Sequence, residues 1–344
     1  MAGISRKVAI STLSAAFAIN CIAQTPGSGS PAVNIPANSV AQARTLLGQG
    51  KVDEAIKLLT PLAAQKPEAP GVEAELGKAY YEKQEYEEAA NHFELALKQD
   101  PNDPESTQLL GISYDLLGHL QQAIPYLEKV QSWMANPDPT GSYILGKAFL
   151  DTRQFDKARA AFAKMFSVAP DSAAAHLLLA KMMMREQFEE QAVPELEKAI
   201  QLDPKLPMAH FILGEVYLFK SNVQGALDEF HKELALDPMS WLTYWRMGDA
   251  YSRLEKWDEA ERALKQSIWL DQTFTGPYIL LGKVEMKKGE LRLAAGFLQH
   301  ALSMDPNNYY AHYLLGTVFK QEGDMKDANL QFQLTQTLRQ KKGP

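Results

Sequence analysis

Three histidines, His176, His210 and His312, stand at whole multiples of 34 residues from one another. An imidazole can ligate a metal or move a proton near neutral pH. A structural zinc site takes about four ligands, and no compact ligand motif surrounds any of the three, so the recurrence reads as a polar-tipped packing position. The carboxylate pairs Glu189-Glu190 and Asp258-Glu259 have the composition of an acid–base couple. Acidic residues recur in the same context at Glu87-Glu88 and Asp156, however. Repetition of that kind marks solvated helix starts, where the helix dipole favours negative charge. The run Met182-Met183-Met184 offers soft thioethers, but successive helical positions point in different directions. Met183 is expected in the core and Met184 on an outward face. The sequence contains no nucleophile elbow, P-loop, dinucleotide-binding loop or HExxH segment. The expectation is a chain without catalytic residues, metal ligands or cofactor, and not an enzyme in its own right.

The elements that hold these residues repeat. Leu213–Pro238 reads LGEVYLFKSNVQGALDEFHKELALDP. A Leu-Gly pair or a close variant recurs at Leu76-Gly77, Leu110-Gly111, Leu145-Gly146, Leu179-Ala180, Leu213-Gly214, Met247-Gly248, Leu281-Gly282 and Leu315-Gly316. The successive offsets are 34, 35, 34, 34, 34, 34 and 34, a period that signals a solenoid. Each unit reads as two antiparallel helices. The first carries Leu-Gly-x-x-Tyr. The second carries Ala-x-x-x-Phe or Leu, whose four-residue spacing puts both side chains on one face. A polar corner separates the helices, with Gly118, Gly289 and Gly323 in three units. Asp-Pro closes units at Asp100-Pro101, Asp203-Pro204, Asp237-Pro238 and Asp305-Pro306, since Pro is poor within a helix but comfortable in its first turn. Departures are local: Gln272 stands where Pro is expected and Glu285 where Tyr is usual.

These residues resemble the tetratricopeptide repeat family, whose pattern is W-x2-L-G-x2-Y, then A-x3-F, then A and P. The resemblance spans 36–342 as nine units: 36–69, 70–103, 104–138, 139–172, 173–206, 207–240, 241–274, 275–308 and 309–342. The first lacks the Leu-Gly pair at the repeat position but keeps Gly50, Ala55, Leu59, Leu62 and Pro67. Residues 343–344 form a tail. The resemblance implies an all-α fold of about nine helical hairpins in a right-handed superhelix, with a concave surface built mainly from first helices. Such surfaces usually bind peptides or protein segments. In the family register, the candidate groove residues are Lys78, Tyr81, Tyr143, Lys147, Lys181, Met184, Phe211, Leu218, Trp245, Ile279, Lys283, Met286 and Tyr313. Aromatic members would supply rigid contact area, and the lysines would pair with acidic groups or a terminal carboxylate. The competing reading is that several aromatics pack between consecutive first helices. The asparagines of the family's Lys/Asn carboxylate clamp are missing, and Asp115 stands on an adjacent line; this argues against chaperone-tail binding.

Residues 1–23 have the order of a secretory signal peptide: Arg6 and Lys7, the apolar run VAISTLSAAFAINCIA, and the small Ala23. A retained anchor is the alternative, although the run is short for a bilayer span. An acylated start at Cys21 is disfavoured by Asn20 before it. Residues 24–35 read as a flexible Pro/Gly leader. Cleavage after Ala23 removes the only cysteine and takes the net charge from -7 to -9. The mature chain then forms no disulfide. The negative charge argues against a general nucleic-acid surface, and no second stretch is apolar enough to span a membrane. With no Asn-x-Ser/Thr sequon, a bacterial periplasm or envelope is the expected location, secretion the alternative. The expected role is a protein- or peptide-binding scaffold. The alternatives are a structural subunit or assembly factor of an envelope or secretion complex, using its convex face and terminal repeats, and a non-catalytic accessory subunit of an enzyme. Ligand identity and oligomeric state are not specified.

Overall fold

The computed structural model describes residues 37–65, 69–133 and 139–341. The signal segment, Cys21, the leader, Pro67 and the tail lie outside them. Among the described residues the helices are α1 (Ala37–Gly48), α2 (Val52–Ala63), α3 (Val72–Glu82), α4 (Tyr86–Gln99), α5 (Pro104–Leu116), α6 (Leu120–Trp133), α7 (Pro139–Asp151), α8 (Phe155–Met165) and α9 (Ala173–Arg185). They continue with α10 (Glu189–Leu202), α11 (Ala209–Phe219), α12 (Val223–Leu236), α13 (Trp241–Arg253), α14 (Trp257–Leu270), α15 (Thr275–Lys288), α16 (Leu291–Met304), α17 (Tyr309–Glu322) and α18 (Met325–Lys341). No strand occurs among the described residues. The fold is an all-α solenoid of paired helices.

Local chemistry sets each element. Asp103, Ser172, Asn222, Ser240 and Asn308 cap α5, α9, α12, α13 and α17, each accepting a backbone N–H three residues on. At unit ends, Asp100, Asp203, Asp237, Asp271 and Asp305 each accept the backbone N–H two residues on, at 2.8–3.1 Å. Asp271 does so ahead of Gln272, so at that unit end the aspartate forms the turn without proline. Each hairpin corner turns on one residue in the left-handed region. Gly50, Gly118, Gly289 and Gly323 serve there, but so do Gln84, Arg153, Gln187, Ser221 and Glu255, with φ between 56° and 64°. The non-glycine corners cost roughly 1–2 kcal/mol each. Backbone bonds of the Lys256 N–H to Tyr251 O kind, 3.0 Å, hold them closed.

The core forms where the two helices of a hairpin meet. Gly77, Gly146 and Gly214 lie against the rings of Phe93, Phe162 and Phe230, and Gly111, Gly248 and Gly282 against Leu127, Leu264 and Leu298. The Ala-x-x-x-Phe spacing places the ring, and the facing glycine makes its space. A Cβ on Gly214 would stand 2.5 Å from the Phe230 ring. Gly214→Ala is therefore expected to destabilise the protein by about 1–3 kcal/mol through overpacking, read as a lowered urea midpoint with unchanged slope. Ala180 takes the glycine position where the facing residue is the aliphatic Leu196, and both are fully buried.

A polar pair nineteen residues apart joins the two helices of several hairpins. His92 Nδ1 meets Glu73 at 2.5 Å, and His176 meets Glu195, His210 meets Glu229 and His312 meets Gln331, each at 2.6 Å. This is the packing position expected for His176, His210 and His312.

Each second helix packs on its own first helix and on the first helix of the next hairpin. First helices also approach one another directly at α1–α3, α3–α5, α9–α11, α11–α13, α13–α15 and α15–α17, and no two successive second helices approach as closely. The first helices therefore line the inner side of the curve.

Candidate functional site

The inner face changes character along its length. At its start, Lys78 Nζ lies 3.1 Å from Glu75 Oε1 and 2.6 Å from Glu105 Oε2, while Arg44 Nε meets Glu75 at 2.7 Å. The chain of charges ties α1, α3 and α5 together. Burial lowers the Lys78 pKa, but the bonds and charges of Glu105 and Glu75 outweigh it and hold the ammonium above its ordinary value. Burial, then the neighbouring Tyr86 and Asp115, push Tyr81 up to about 12, so its hydroxyl stays protonated. Lys147 is likewise occupied, 3.3 Å from Asp151 and 3.2 Å from Glu186. Lys181 and Lys283 are half-buried and form no ion pair among the described residues.

In the middle the face closes. Phe211, Leu218 and Ile279 are only 3%, 4% and 8% exposed. Phe211 packs on Phe230 with ring centroids 5.9 Å apart. These three residues belong to the buried core and present almost no surface to a partner. Tyr143, Met184 and Met286 are half-buried, and the Arg185 guanidinium reaches the Tyr143 hydroxyl at 3.5 Å. Trp245 is partly covered by its own neighbours. Phe274 meets it edge-on at 4.9 Å, and the Arg246 guanidinium lies 4.3 Å from its ring centre while pairing with Glu215 at 2.5 Å.

At the far end the face opens. Tyr313 is 49% exposed and Tyr310 is 42% exposed. Their rings stack at 6.5 Å with an interplanar angle of 17°, and Phe332 supports Tyr313 from α18 at 6.2 Å. Burial, then Tyr313 and Asp249, raise the Tyr310 pKa. Tyr310 is not among the groove residues expected from the sequence; its place three residues before Tyr313, on the same helical face, is the signal for it.

The arrangement offers an aromatic ledge and unpaired cations rather than reactive groups. Among the described residues no group of three or more His, Cys, Asp or Glu is placed to hold a metal, and no helix is long and apolar enough to cross a membrane. Glu189-Glu190 and Asp258-Glu259 lie in the first turns of α10 and α14. A concavity between α5, α6 and α7, lined by Gln108, Ile112, Gln131 and Thr140 among others, has a volume of about 30 Å³, room for about one water.

Family models described as tetratricopeptide repeat match residues 46–111 and 116–182, 246–278, and 279–336. No curated protein sequence matches the chain. Solved structures with a similar fold include MamA (residues 41 to end) from Desulfovibrio magneticus RS-1, at 21% identity over 51% of this chain and 98% of that one, TM-score 0.47. PilW, described as a widely conserved type IV pilus biogenesis factor, matches at 24% identity over 49% of this chain and 78% of that one, TM-score 0.46. A chain of the APC/C hetero-tetramer Cut9-Hcn1 matches at 20% identity over 81% of this chain and 55% of that one, TM-score 0.45.

Proposed function

Because the chain belongs to the tetratricopeptide repeat family, we propose that it is a non-catalytic scaffold that holds a protein or peptide segment along its inner face, outside the cytoplasm. The observation that carries this reading is the stacked, solvent-facing pair Tyr310 and Tyr313 on the side that also bears the unpaired Lys181 and Lys283. Stacked tyrosines give a rigid amphipathic surface at little entropic cost. Lysines without internal partners are available to acidic side chains or a chain-terminal carboxylate. Lys78 and Lys147 are struts between hairpins instead. Export rests on the order of charged, apolar and small residues in 1–23.

The double change Tyr310→Ala, Tyr313→Ala is expected to weaken partner binding about tenfold or more, measured by quantitative affinity capture from the native compartment. Full recovery by a folded double variant contradicts the groove reading. Phe211→Ala is expected to lower stability and is therefore unsuited to testing contact. A structural-subunit reading is favoured by one feature: α18 leaves Met325, Leu330 and Leu334 exposed. Loss of complex assembly in Leu330→Glu, with peptide binding retained, would select that reading.

A further inference from the structure

Four places beyond the first residue of each Leu-Gly pair or its variant, the first helices carry Tyr80, Tyr114, Phe149, Met183, Tyr217, Tyr251, Glu285 and Phe319. Seven are aromatic or thioether side chains, and one is a carboxylic acid. Glu285 is 2% exposed, and its Oε1 has no hydrogen-bond partner among the described residues. The cation one turn away does not serve it. Lys288 Nζ lies 2.7 Å from Asp258 Oδ1 and 2.5 Å from Glu261 Oε2, which ties α15 to α14. Lys265 also holds Glu261.

A buried carboxyl with an oxygen left unpaired is tolerated when neutral and costly when charged. The strongest charges acting on Glu285 are Glu261 and Lys265 of α14, Lys288 of its own helix, and Glu290 just before α16; none of these comes from α13 or α17. Burial first, and Glu261 second, hold its pKa above the usual carboxylate value.

We infer that the seam between the hairpins α13–α14 and α15–α16 is a pH-sensitive joint, closed while Glu285 is protonated and loosened when it ionises. On ionisation the proton goes to solvent. The new carboxylate then draws Lys288 away from Asp258 and Glu261, or draws water into the seam. Either event weakens the α14–α15 contact. Lys283 lies on α15 at the joint and Tyr310 and Tyr313 lie beyond it on α17, so its state alters how that end of the inner face is presented. The joint itself does not depend on the groove being a binding site.

The sign follows from linkage. An unfolded glutamate ionises near pH 4.3, at about its ordinary value, and the folded one ionises higher. The stabilisation is complete below the unfolded value and is lost as pH rises through the folded one.

The test compares amide-exchange protection in the full chain and in Glu285→Gln, at about pH 3.5, below the unfolded value, and at about pH 8. The amide imitates the neutral acid. Protection of α15–α16 should match in the two proteins at the lower pH. At the higher pH the native protein should fall below the variant, while α9–α10 stay matched. A ratio that does not change with pH, or one that changes equally in α9–α10, overturns the inference. So does a Glu285→Gln chain that fails to fold, because a neutral side chain is what the closed joint requires. Lys288→Met adds a second arm: with no cation to draw, the native carboxyl should lose protection more steeply with pH. An unchanged profile in that variant also counts against the joint.

Discussion

Phe230→Ala is expected to lower the free energy of unfolding by about 3–5 kcal/mol. The ring is fully buried, lies against Gly214 with no room even for a Cβ between them, and packs on Phe211 at 5.9 Å. Neither helix can close the hole cheaply. Gly214 has no side chain to move into it, and Phe211 is itself only 3% exposed. In a solenoid each hairpin contacts only its neighbours, so stability is close to a sum of local terms. The loss should therefore appear first as reduced amide protection in α11 and α12 and spread to the flanking hairpins before the ends. Urea denaturation measures the magnitude, and amide exchange measures the location. A loss under about 1 kcal/mol, or one spread evenly over the chain, contradicts the packing described here.

Glu233→Ala should cost about 3 kcal/mol, from two hydrogen bonds to a charged group worth roughly 1.5 kcal/mol or more each. Glu233 is on α12 and 2% exposed. Its Oε1 accepts the Met208 N–H at 2.9 Å and its Oε2 accepts the Phe211 N–H at 3.1 Å. The start of α11 has no side-chain cap of its own, and Met208 sits at φ 70°. The carboxylate of the partner helix thus does the capping, with its charge at the favourable end of the α11 dipole. Removing it leaves two N–H groups without their acceptor beside a strained residue. Glu233→Gln retains one acceptor and should recover part of the loss. Thermal unfolding of the three proteins checks the order; a Glu233→Ala melting temperature equal to that of the native protein rules the cap out.

The hairpins were legible because Leu213, Gly214, Tyr217, Ala226 and Phe230 recur at constant spacing, and each spacing places side chains on one face of a helix. That pattern needs no knowledge of neighbouring units. The left-handed corners at Gln84, Arg153, Gln187, Ser221 and Glu255 carry no residue signature, since closure is a backbone effect. The joining pairs His176–Glu195 and His210–Glu229 share one offset and could have been read from it. The inner face was harder. Whether Phe211 or Ile279 is open depends on how far the next first helix leans over it, which is a property of superhelical twist rather than of helical period. Lys78 and Lys147 looked equivalent to Lys181 and Lys283, but their partners Glu105 and Glu186 come from the following hairpins, and only the stacking brings them into reach.

Site-specific photo-crosslinking tests the central claim most directly, with the reactive side chain placed at Tyr313 on the inner face or at the exposed Lys198 on second helix α10. In the native compartment, Tyr313 should give a discrete protein adduct that is lost on Lys283→Glu, and Lys198 should give none. The same adduct from both positions, or an adduct only from Lys198, would show that partners meet this protein elsewhere than on its inner face.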